Sequence, residues 1–360
     1  MHLWYSVQFD ENTDLQEAMQ NLKKLGEISK VQCNKNIYRA YDPKKKARLI
    51  TRAGNERVTR AAADNGLKFN DPELYRQWGY INRGSYPFEK EWAKVEAGAD
   101  VGCEEAWKLS TGDPSIIVAV LDEGVMFDHP DLAANMWVNE GEEFLAGKDT
   151  DHNGYKDDKY GYNFVKNTGV ISYSEISDTG HGTHVAGTIA AVNDNGIGCC
   201  GIAGGSTGKP GVRIMSCQVF SGDNGSTIAM EARAVKYAAD NGAVIIQCSW
   251  GYNSALANIM MGYTPGPATE KEWSDLYPLE KEAMDYFIYN AGSPNGVIDG
   301  GLAIFAAGNE YSAKPGYPGA YSKCLSIGSL AADYTPASYT NYGPARREGD
   351  AGGDEKAFCD

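Results

Sequence analysis

The most informative part of the sequence runs Asp178-Thr179-Gly180-His181-Gly182-Thr183-His184-Val185-Ala186-Gly187-Thr188-Ile189-Ala190-Ala191. Its apolar, alanine-rich second half predicts a helix over residues 181–192. Small residues on either side of His181 would let other chain segments approach the imidazole closely. A lone histidine at a helix start is usually incidental, so its role depends on what the rest of the chain places beside it.

Two polar side chains follow apolar runs that are typical of buried strands. Asp122 comes directly after Ser-Ile-Ile-Val-Ala-Val-Leu at residues 115–121, and Asn309 ends the run Phe-Ala-Ala-Gly-Asn at residues 305–309. In open α/β sheets, ligands and catalytic groups lie at the carboxyl ends of the strands. A carboxylate there can orient a histidine ring. The alternative interpretations are an aspartate that caps a turn and an asparagine in a left-handed turn.

Strand-like and helix-like segments alternate after residue 100, which predicts an α/β protein whose mostly parallel sheet is sandwiched between helices. We predict strands over 115–121, 212–220, 243–248, 302–306 and 324–330, and helices over 181–192, 227–240 and 280–290.

The sequence resembles the subtilisin-like serine proteases (subtilases, peptidase family S8). The resemblance is carried by three motifs: His181-Gly-Thr-His-Val-Ala-Gly, Asp122 with its His129-Pro-Asp-Leu tail, and Phe305-Ala-Ala-Gly-Asn-Glu. It covers most of residues 69–343. It implies the subtilisin-like fold, with a small N-terminal α+β propeptide-like domain.

The resemblance also assigns the site residues. His181 would be the general base, Asp122 its orienting carboxylate and Asn309 the oxyanion donor. Substrate would pair with two backbone edges, formed by Ser249, Trp250, Gly251, Ala307 and Gly308 on one side and by Ser221, Gly222 and Gly225 on the other. The chain has Trp250 where the family often has Leu, which predicts a bulkier wall of the specificity pocket. It has Glu123 where Ser or Thr is usual.

An acidic loop precedes the histidine motif and predicts structural calcium. Oxygen-bearing side chains at alternate positions, with Gly154 sixth, resemble the first half of an EF-hand loop, although the terminal bidentate glutamate is missing. Many subtilases carry a similar calcium loop. The alternative is a solvated acidic loop. The candidate ligands are Asp149, Asp151, Asn153, Tyr155, Asp157 and Asp158.

Charge divides the chain into a basic head and an acidic body. Residues 1–60 carry 12 Lys and Arg against 7 Asp and Glu, whereas the rest carries 21 against 41, and the net charge is −15. Such complementarity predicts that the head docks on the body. The alternative is an ordinary solvated basic segment. We therefore divide the chain into 1–60 (propeptide-like, with a basic tail), 61–100 (linker and N-terminal arm) and 101–360 (catalytic domain, incomplete at its C-terminus).

The head itself is predicted to form a strand over 3–9, a helix over 14–25 and one or two strands over 28–41. Its partner would be the catalytic domain of the same chain. Nucleic acid is a poor partner for so acidic a body. No apolar run is long enough to span a membrane. We expect a secreted, periplasmic or cell-surface protein whose signal is not in this sequence.

Eight cysteines are scattered along the chain without a C-x-x-C pair. Cys217 and Cys248 lie in strand-like apolar runs and are predicted to be buried thiols. One or two disulfides remain possible, and their pairing does not follow from the sequence.

The nucleophile motif of the family, Gly-Thr-Ser-Met-Ala, does not occur in these 360 residues. The family orders its triad Asp, His, Ser, so we expect the serine beyond Asp360 and an inactive chain without it. The leading hypothesis is a serine endopeptidase that hydrolyses peptide bonds. The alternative is a non-catalytic peptide-binding module, a pseudoprotease of the same fold.

Overall fold

A six-stranded sheet forms the centre of the chain in the computed structural model, which describes residues 4–37, 39, 68–86, 88, 94–175, 177–222, 224–292 and 298–343. Its strands pair in the order β10-β9-β8-β2-β6-β3, and every pairing is parallel. The strands of the described residues are β1 Asn36–Ile37, β2 Ile117–Glu123, β3 Gly161–Asn163, β4 Gly205–Ser206, β5 Lys209–Pro210, β6 Arg213–Phe220, β7 Ser226–Thr227, β8 Ile245–Cys248, β9 Leu302–Ala306 and β10 Leu325–Ile327.

Helices cover both faces of this sheet. Helix α3 packs on β2, whereas α4 and α6 pack on β6 and β9. The helices of the described residues are α1 Leu15–Lys23, α2 Cys103–Leu109, α3 His181–Ala190, α4 Ile228–Asp240, α5 Glu270–Leu276 and α6 Pro278–Asn290. Strand β2 is buried along its whole length, and its side chains alternate between two apolar clusters. Val118 and Val120 pack with the α3 side, whereas Ala119 and Leu121 join the larger cluster that contains α4 and α6. This explains why the strand reads as a continuous apolar run.

The predicted fold class is confirmed, with element ends shifted by a few residues. Strand β9 has the predicted bounds, and α3 begins at His181 as expected. The predicted strand over residues 3–9 is wrong for the part that the structure describes, since residues 4–9 form no strand. Its alternating apolar residues do not pack on a sheet within the described residues, and Tyr5 and Val7 remain exposed. The strand prediction over 28–41 is reduced to β1, while residues 38, 40 and 41 lie outside the described residues.

The basic head contacts the acidic body at several points. Strand β1 pairs antiparallel with β7, and the side chain of Ile37 is buried against the large apolar cluster. Lys30 forms an ion pair with Glu282, which also accepts a hydrogen bond from Trp4 Nε1 at 2.8 Å. The proposed boundary near residue 60 falls among residues 41–67, and the C-terminal end of the last unit falls among 344–360. Both lie outside the described residues.

The cysteines of the described residues are free thiols, and Cys217 and Cys248 are fully buried as predicted. No helix within the described ranges is both long and apolar enough to cross a membrane.

A pair of buried acids links α4 to α6. The carboxyl groups of Glu231 and Glu280 are fully buried and interact with each other. Glu280 also accepts hydrogen bonds from Tyr252 Oη at 3.1 Å and from Trp273 Nε1. Burial raises the pKa of Glu280 to about 7. Burial and the neighbouring Glu280 carboxyl raise the pKa of Glu231 well above its ordinary value. The folded protein therefore holds a proton that an unfolded chain releases near pH 4.5.

This pair predicts a pH-dependent stability that one substitution removes. Since the folded-state pKa values are raised, the protonated pair stabilises the fold at low pH, and that stability is lost as the pH rises above about 4.5 towards 7 and beyond. The variant Glu231→Gln should therefore become increasingly more stable than the wild type over this range in urea titrations. The exposed Glu105→Gln variant is the control and should follow the wild type. A constant difference between Glu231→Gln and wild type from pH 4 to 8 would contradict the raised pKa values of the pair.

Candidate active site

The carboxyl end of β2 carries a buried carboxylate that faces a histidine. Asp122 is fully buried, and His181 Nδ1 lies 2.9 Å from both of its carboxylate oxygens. Oδ1 also accepts the Glu123 backbone N–H at 2.7 Å. Burial raises the pKa of Asp122, and the hydrogen bond and charge of His181 oppose this shift. The Asp122 carboxylate thus fixes the ring through Nδ1, and Nε2 is the ring nitrogen that would exchange a proton with a substrate or nucleophile.

Helix α3 brings His181 to this position because its first turn has almost no side-chain bulk. Gly180 precedes the helix with φ 79°, in the left-handed region that favours glycine. A Cβ on Gly182 would lie 2.2 Å from the backbone oxygen of Glu123. The helix can therefore approach β2 only with glycine at this position, which accounts for the small residues around the histidine.

Glu123, the residue that departs from the family pattern, holds the chain that enters α3. Its carboxylate accepts the backbone N–H groups of Thr179 and His181 at 3.0 and 3.1 Å, and the hydroxyl of Thr179 at 3.1 Å. These donors include amides at the start of a helix, where a negative charge is stabilised. The sequence marked this position only as an exception and missed its structural role.

The turn after β9 places Asn309 across the cleft from β2. Gly308 adopts φ 112°, and a Cβ there would lie 2.3 Å from Asn341 Nδ2. Asn341 is buried and fixes the turn: its Nδ2 donates to the Ala307 carbonyl at 2.9 Å, and its Oδ1 accepts the backbone N–H of Glu310 at 3.2 Å. Asn341 is a positioning residue that the sequence identified only as part of a resembling segment.

One cleft brings together most of the predicted residues. His181, Trp250, Gly251, Ala307, Gly308 and Asn309 line it, and Ser249 lines a smaller adjoining pocket that also contacts His181. The Trp250 ring differs from the expected pocket wall. It is buried beneath the site, where Nε1 donates to the Leu121 carbonyl at 2.9 Å and the ring packs edge-on against Phe305. It braces the strand end that carries Asp122.

The residues predicted for the opposite edge of the cleft lie close to the segment that pairs with β1. Ser221 is fully buried and its hydroxyl lies 3.0 Å from that of Ser172, so its side chain does not face the cleft. Ser226 and Thr227 form the edge that pairs with β1. Gly225 adjoins this edge, and a Cβ there would lie 3.2 Å from the Ile37 carbonyl. Gly222 contributes its carbonyl, which accepts a hydrogen bond from Arg39.

The acidic loop gathers some of the predicted metal ligands and adds another. Glu142, Asp151 and Asp158 each offer an oxygen, and these oxygens lie within 4.8 Å of one another. Glu142 and Asp158 are buried. Glu142 lies outside the spacing pattern, so the sequence missed it. Buried carboxylates at such separation repel each other unless a cation or donor compensates, and a set of hard oxygen donors suits Ca²⁺.

The remaining predicted ligands have other contacts. Asn153 Nδ2 donates to Asp151 and to Asp158, at 3.1 and 3.0 Å. Asp149 accepts backbone N–H groups within the loop, and Asp157 Oδ1 accepts the Gly147 N–H at 2.7 Å. The Tyr155 ring packs against Tyr162 and Tyr237 in the apolar cluster. Asp151, Asn153 and Asp158 are thus the predicted residues that the fold brings together.

Known proteins with similar sequences include some that are named as serine proteases. Halolysin of Haloferax mediterranei is 30% identical over 247 residues, which is 69% of this chain and 37% of halolysin. The thermophilic serine proteinase of Bacillus sp. (strain AK1) is 25% identical over 94% of this chain and 66% of its own length. Thermitase of Thermoactinomyces vulgaris is 27% identical over 66% of this chain and 63% of thermitase. This chain thus spans 37–66% of the length of these relatives.

Among solved structures, the serine protease of Aeromonas sobria superposes with a TM-score of 0.51 and 21% identity, over 76% of this chain and 42% of that one. This likeness supports the fold. The model of the subtilase family, peptidase S8, matches residues 113–352, about two thirds of the chain. That span includes the parallel sheet, Asp122 at the end of β2, His181 at the start of α3 and Asn309 after β9. The chain therefore belongs to the subtilase family.

Proposed function

We propose that this protein is a serine endopeptidase whose nucleophile is a serine that follows residue 360. The observation that carries the proposal is His181 Nδ1 at 2.9 Å from the buried Asp122, in a cleft that Asn309 also lines. An imidazole held by a buried carboxylate, with an asparagine in the same cleft, supports the proposed roles of general base, orienting carboxylate and oxyanion donor. Two relatives named as serine proteases, from Natrialba magadii and Bacillus sp. (strain AK1), support the same reaction class.

The proposed reaction uses His181 as a proton shuttle. Nε2 removes the hydroxyl proton of the serine as its oxygen attacks the peptide carbonyl, and Asp122 stabilises the imidazolium that forms. The side-chain amide of Asn309 donates a hydrogen bond to the oxyanion of the tetrahedral intermediate and stabilises it. His181 then gives the proton to the leaving amine, which breaks the C–N bond. Water hydrolyses the acyl-enzyme by the same steps and releases the acid.

The rival function is peptide binding without cleavage. The chain contains no Gly-Thr-Ser-Met-Ala motif, and its cleft edges already pair with an extended segment at β1. Strand addition of this kind provides affinity through backbone hydrogen bonds and does not need a nucleophile.

We further propose a structural calcium ion at Glu142, Asp151 and Asp158, with Asn153 as an additional oxygen ligand. The two buried carboxylates support it. Residues 1–60 are proposed to act as the propeptide, which is supported by the pairing of β1 with β7 and by the ion pair of Lys30 with Glu282. Secretion is proposed because a relative, Nep of Natrialba magadii, is named an extracellular serine protease.

A fluorophosphonate probe tests the catalytic proposal on the protein encoded by the full gene. We expect covalent labelling of a serine, and His181→Ala should lower kcat/KM by about 10⁴-fold or more because the serine loses its base. Asn309→Ala should lower kcat by about 10²–10³-fold. Thr188→Ala is the control, since Thr188 is exposed on the same helix. No labelling, or labelling that survives His181→Ala, would favour the binding module.

Chelation tests the calcium proposal. At a calcium concentration 100-fold above Kd, binding should stabilise the fold by about 2.7 kcal/mol, so a chelator should lower the Tm measured by circular dichroism. Glu142→Gln should reduce the calcium-dependent part of the Tm, whereas the exposed neighbour Glu143→Gln should retain it. A Tm that is equal with calcium and with chelator would reject the ion.

A further inference from the structure

Arg39 of the N-terminal segment enters an acidic pocket beside the catalytic pair. We define the acidic pocket by Glu123, Asp178, Phe220 and Gly222. Arg39 Nη1 lies 3.2 Å from Glu123 Oε1, and Nη2 lies 4.0 Å from Asp178 Oδ1. The three side chains are 9%, 1% and 2% exposed. This is a buried ionic contact, unlike the exposed ion pairs elsewhere on the surface.

The remaining contacts of Arg39 match the shape of a guanidinium group. Nη2 donates to the Gly222 carbonyl at 2.7 Å, and Nη1 donates to the Ser177 carbonyl at 3.4 Å. The guanidinium carbon lies 5.5 Å from the centre of the Phe220 ring. Several donors directed to separate acceptors, together with an aromatic face, favour Arg over the single ammonium of Lys.

The pocket is preorganised by contacts that do not involve Arg39. Thr179 and the His181 backbone N–H hold the Glu123 carboxylate. Asp178 accepts the backbone N–H groups of Gly222 at 2.8 Å and Glu175 at 2.9 Å. These donors keep two buried carboxylates directed at one point. A cationic side chain compensates their charge, whereas a neutral side chain would leave them without a cation.

The backbone of the same segment lies in the cleft as an added strand. Asn36 and Ile37 pair antiparallel with Thr227 and Ser226 on one side, and Arg39 pairs antiparallel with Trp250 on the other. An extended peptide held between these two edges places its Arg39-equivalent side chain in the acidic pocket. Asn36, Ile37 and Arg39 line the same cleft as His181.

We propose that the acidic pocket is a specificity subsite that selects arginine in peptide substrates, at the position that Arg39 takes between Trp250 and β7. The proposal rests on the proposed endopeptidase function and adds a substrate class to it. Glu123 and Asp178 are the specificity-determining residues. The chain's own segment 36–39 presents the preferred side chain to the cleft.

A positional library of fluorogenic peptides tests the subsite on the protein encoded by the full gene. We expect arginine to be enriched at a single position, with Lys weaker and Leu or Ala weaker still. Glu123→Gln and Asp178→Asn should each lower the Arg-to-Ala ratio of kcat/KM by about 10–100-fold, since each leaves the cation with one buried partner. The readout is the ratio within one variant, because a general loss of α3 geometry would lower kcat/KM equally for the Arg and the Ala substrate.

The control variant is Asp128→Asn, which removes an exposed carboxylate near the end of β2. It should keep the Arg-to-Ala ratio of the wild type. Unchanged ratios in both Glu123→Gln and Asp178→Asn would overturn the proposal. Hydrolysis of no peptide at all, neutral sequences included, would instead count against the proposed endopeptidase function.

A double-mutant cycle tests whether Arg39 and Glu123 interact, and it does not require an active protein. Arg39→Ala and Glu123→Gln are combined, and Tm and urea unfolding are measured for the four proteins. If the pocket recognises Arg39, Glu123→Gln should lower the free energy of unfolding less in the Arg39→Ala protein than in the wild type. Additive effects would show that Glu123 and Arg39 do not interact, and would reject the pocket as a site for arginine.

Discussion

The close approach of α3 to the carboxyl end of β2 is the constraint on which the site depends. Glycine at position 182 allows the helix to contact the Glu123 backbone, and this contact sets the distance between His181 and Asp122. Any larger residue would push the helix away by steric overlap with a backbone atom that cannot move. The central position of β2, between β8 and β6, makes this strand end rigid. The geometry of the His181–Asp122 pair therefore depends on the sheet.

The neighbouring carboxylates of Asp122 and Glu123 bind different groups because their surroundings differ. Asp122 faces the imidazole, whereas Glu123, one residue later, faces the amides at the start of α3 and the guanidinium of Arg39. The register of β2 with β6 shifts between Asp122 and Glu123, and the two adjacent acids reach different groups at the start of α3. At a distance from this site, the side chains of Glu142, Asp151 and Asp158 gather instead with amide groups of Asn139 and Asn153. The excess of acidic residues is thus concentrated in a few defined sites as well as on the surface.

The N-terminal segment shows how charge and backbone pairing combine. A short strand such as β1 contributes few backbone hydrogen bonds, and much of the apolar surface of the head, including Tyr5, Val7 and Leu25, stays exposed. The buried arginine adds contacts that an apolar side chain could not make. Docking of the head therefore depends on specific polar contacts at the cleft more than on an extensive apolar core, which agrees with the basic charge of the head and the acidic charge of the body.

The sequence alone determined the α/β class, most of the elements and the three motif residues Asp122, His181 and Asn309. The elements follow from local patterns, since buried parallel strands are continuously apolar, whereas the three residues follow from motifs that resemble those of the subtilase family. It did not determine the partners of Glu123, the role of Asn341, the burial of the Trp250 ring or the contribution of Glu142. Residues far apart in sequence make these contacts, such as Trp250 with the Leu121 carbonyl and Asn341 with the Ala307 carbonyl. Only tertiary packing decides them, because a side chain's partner depends on which strand ends the fold brings together.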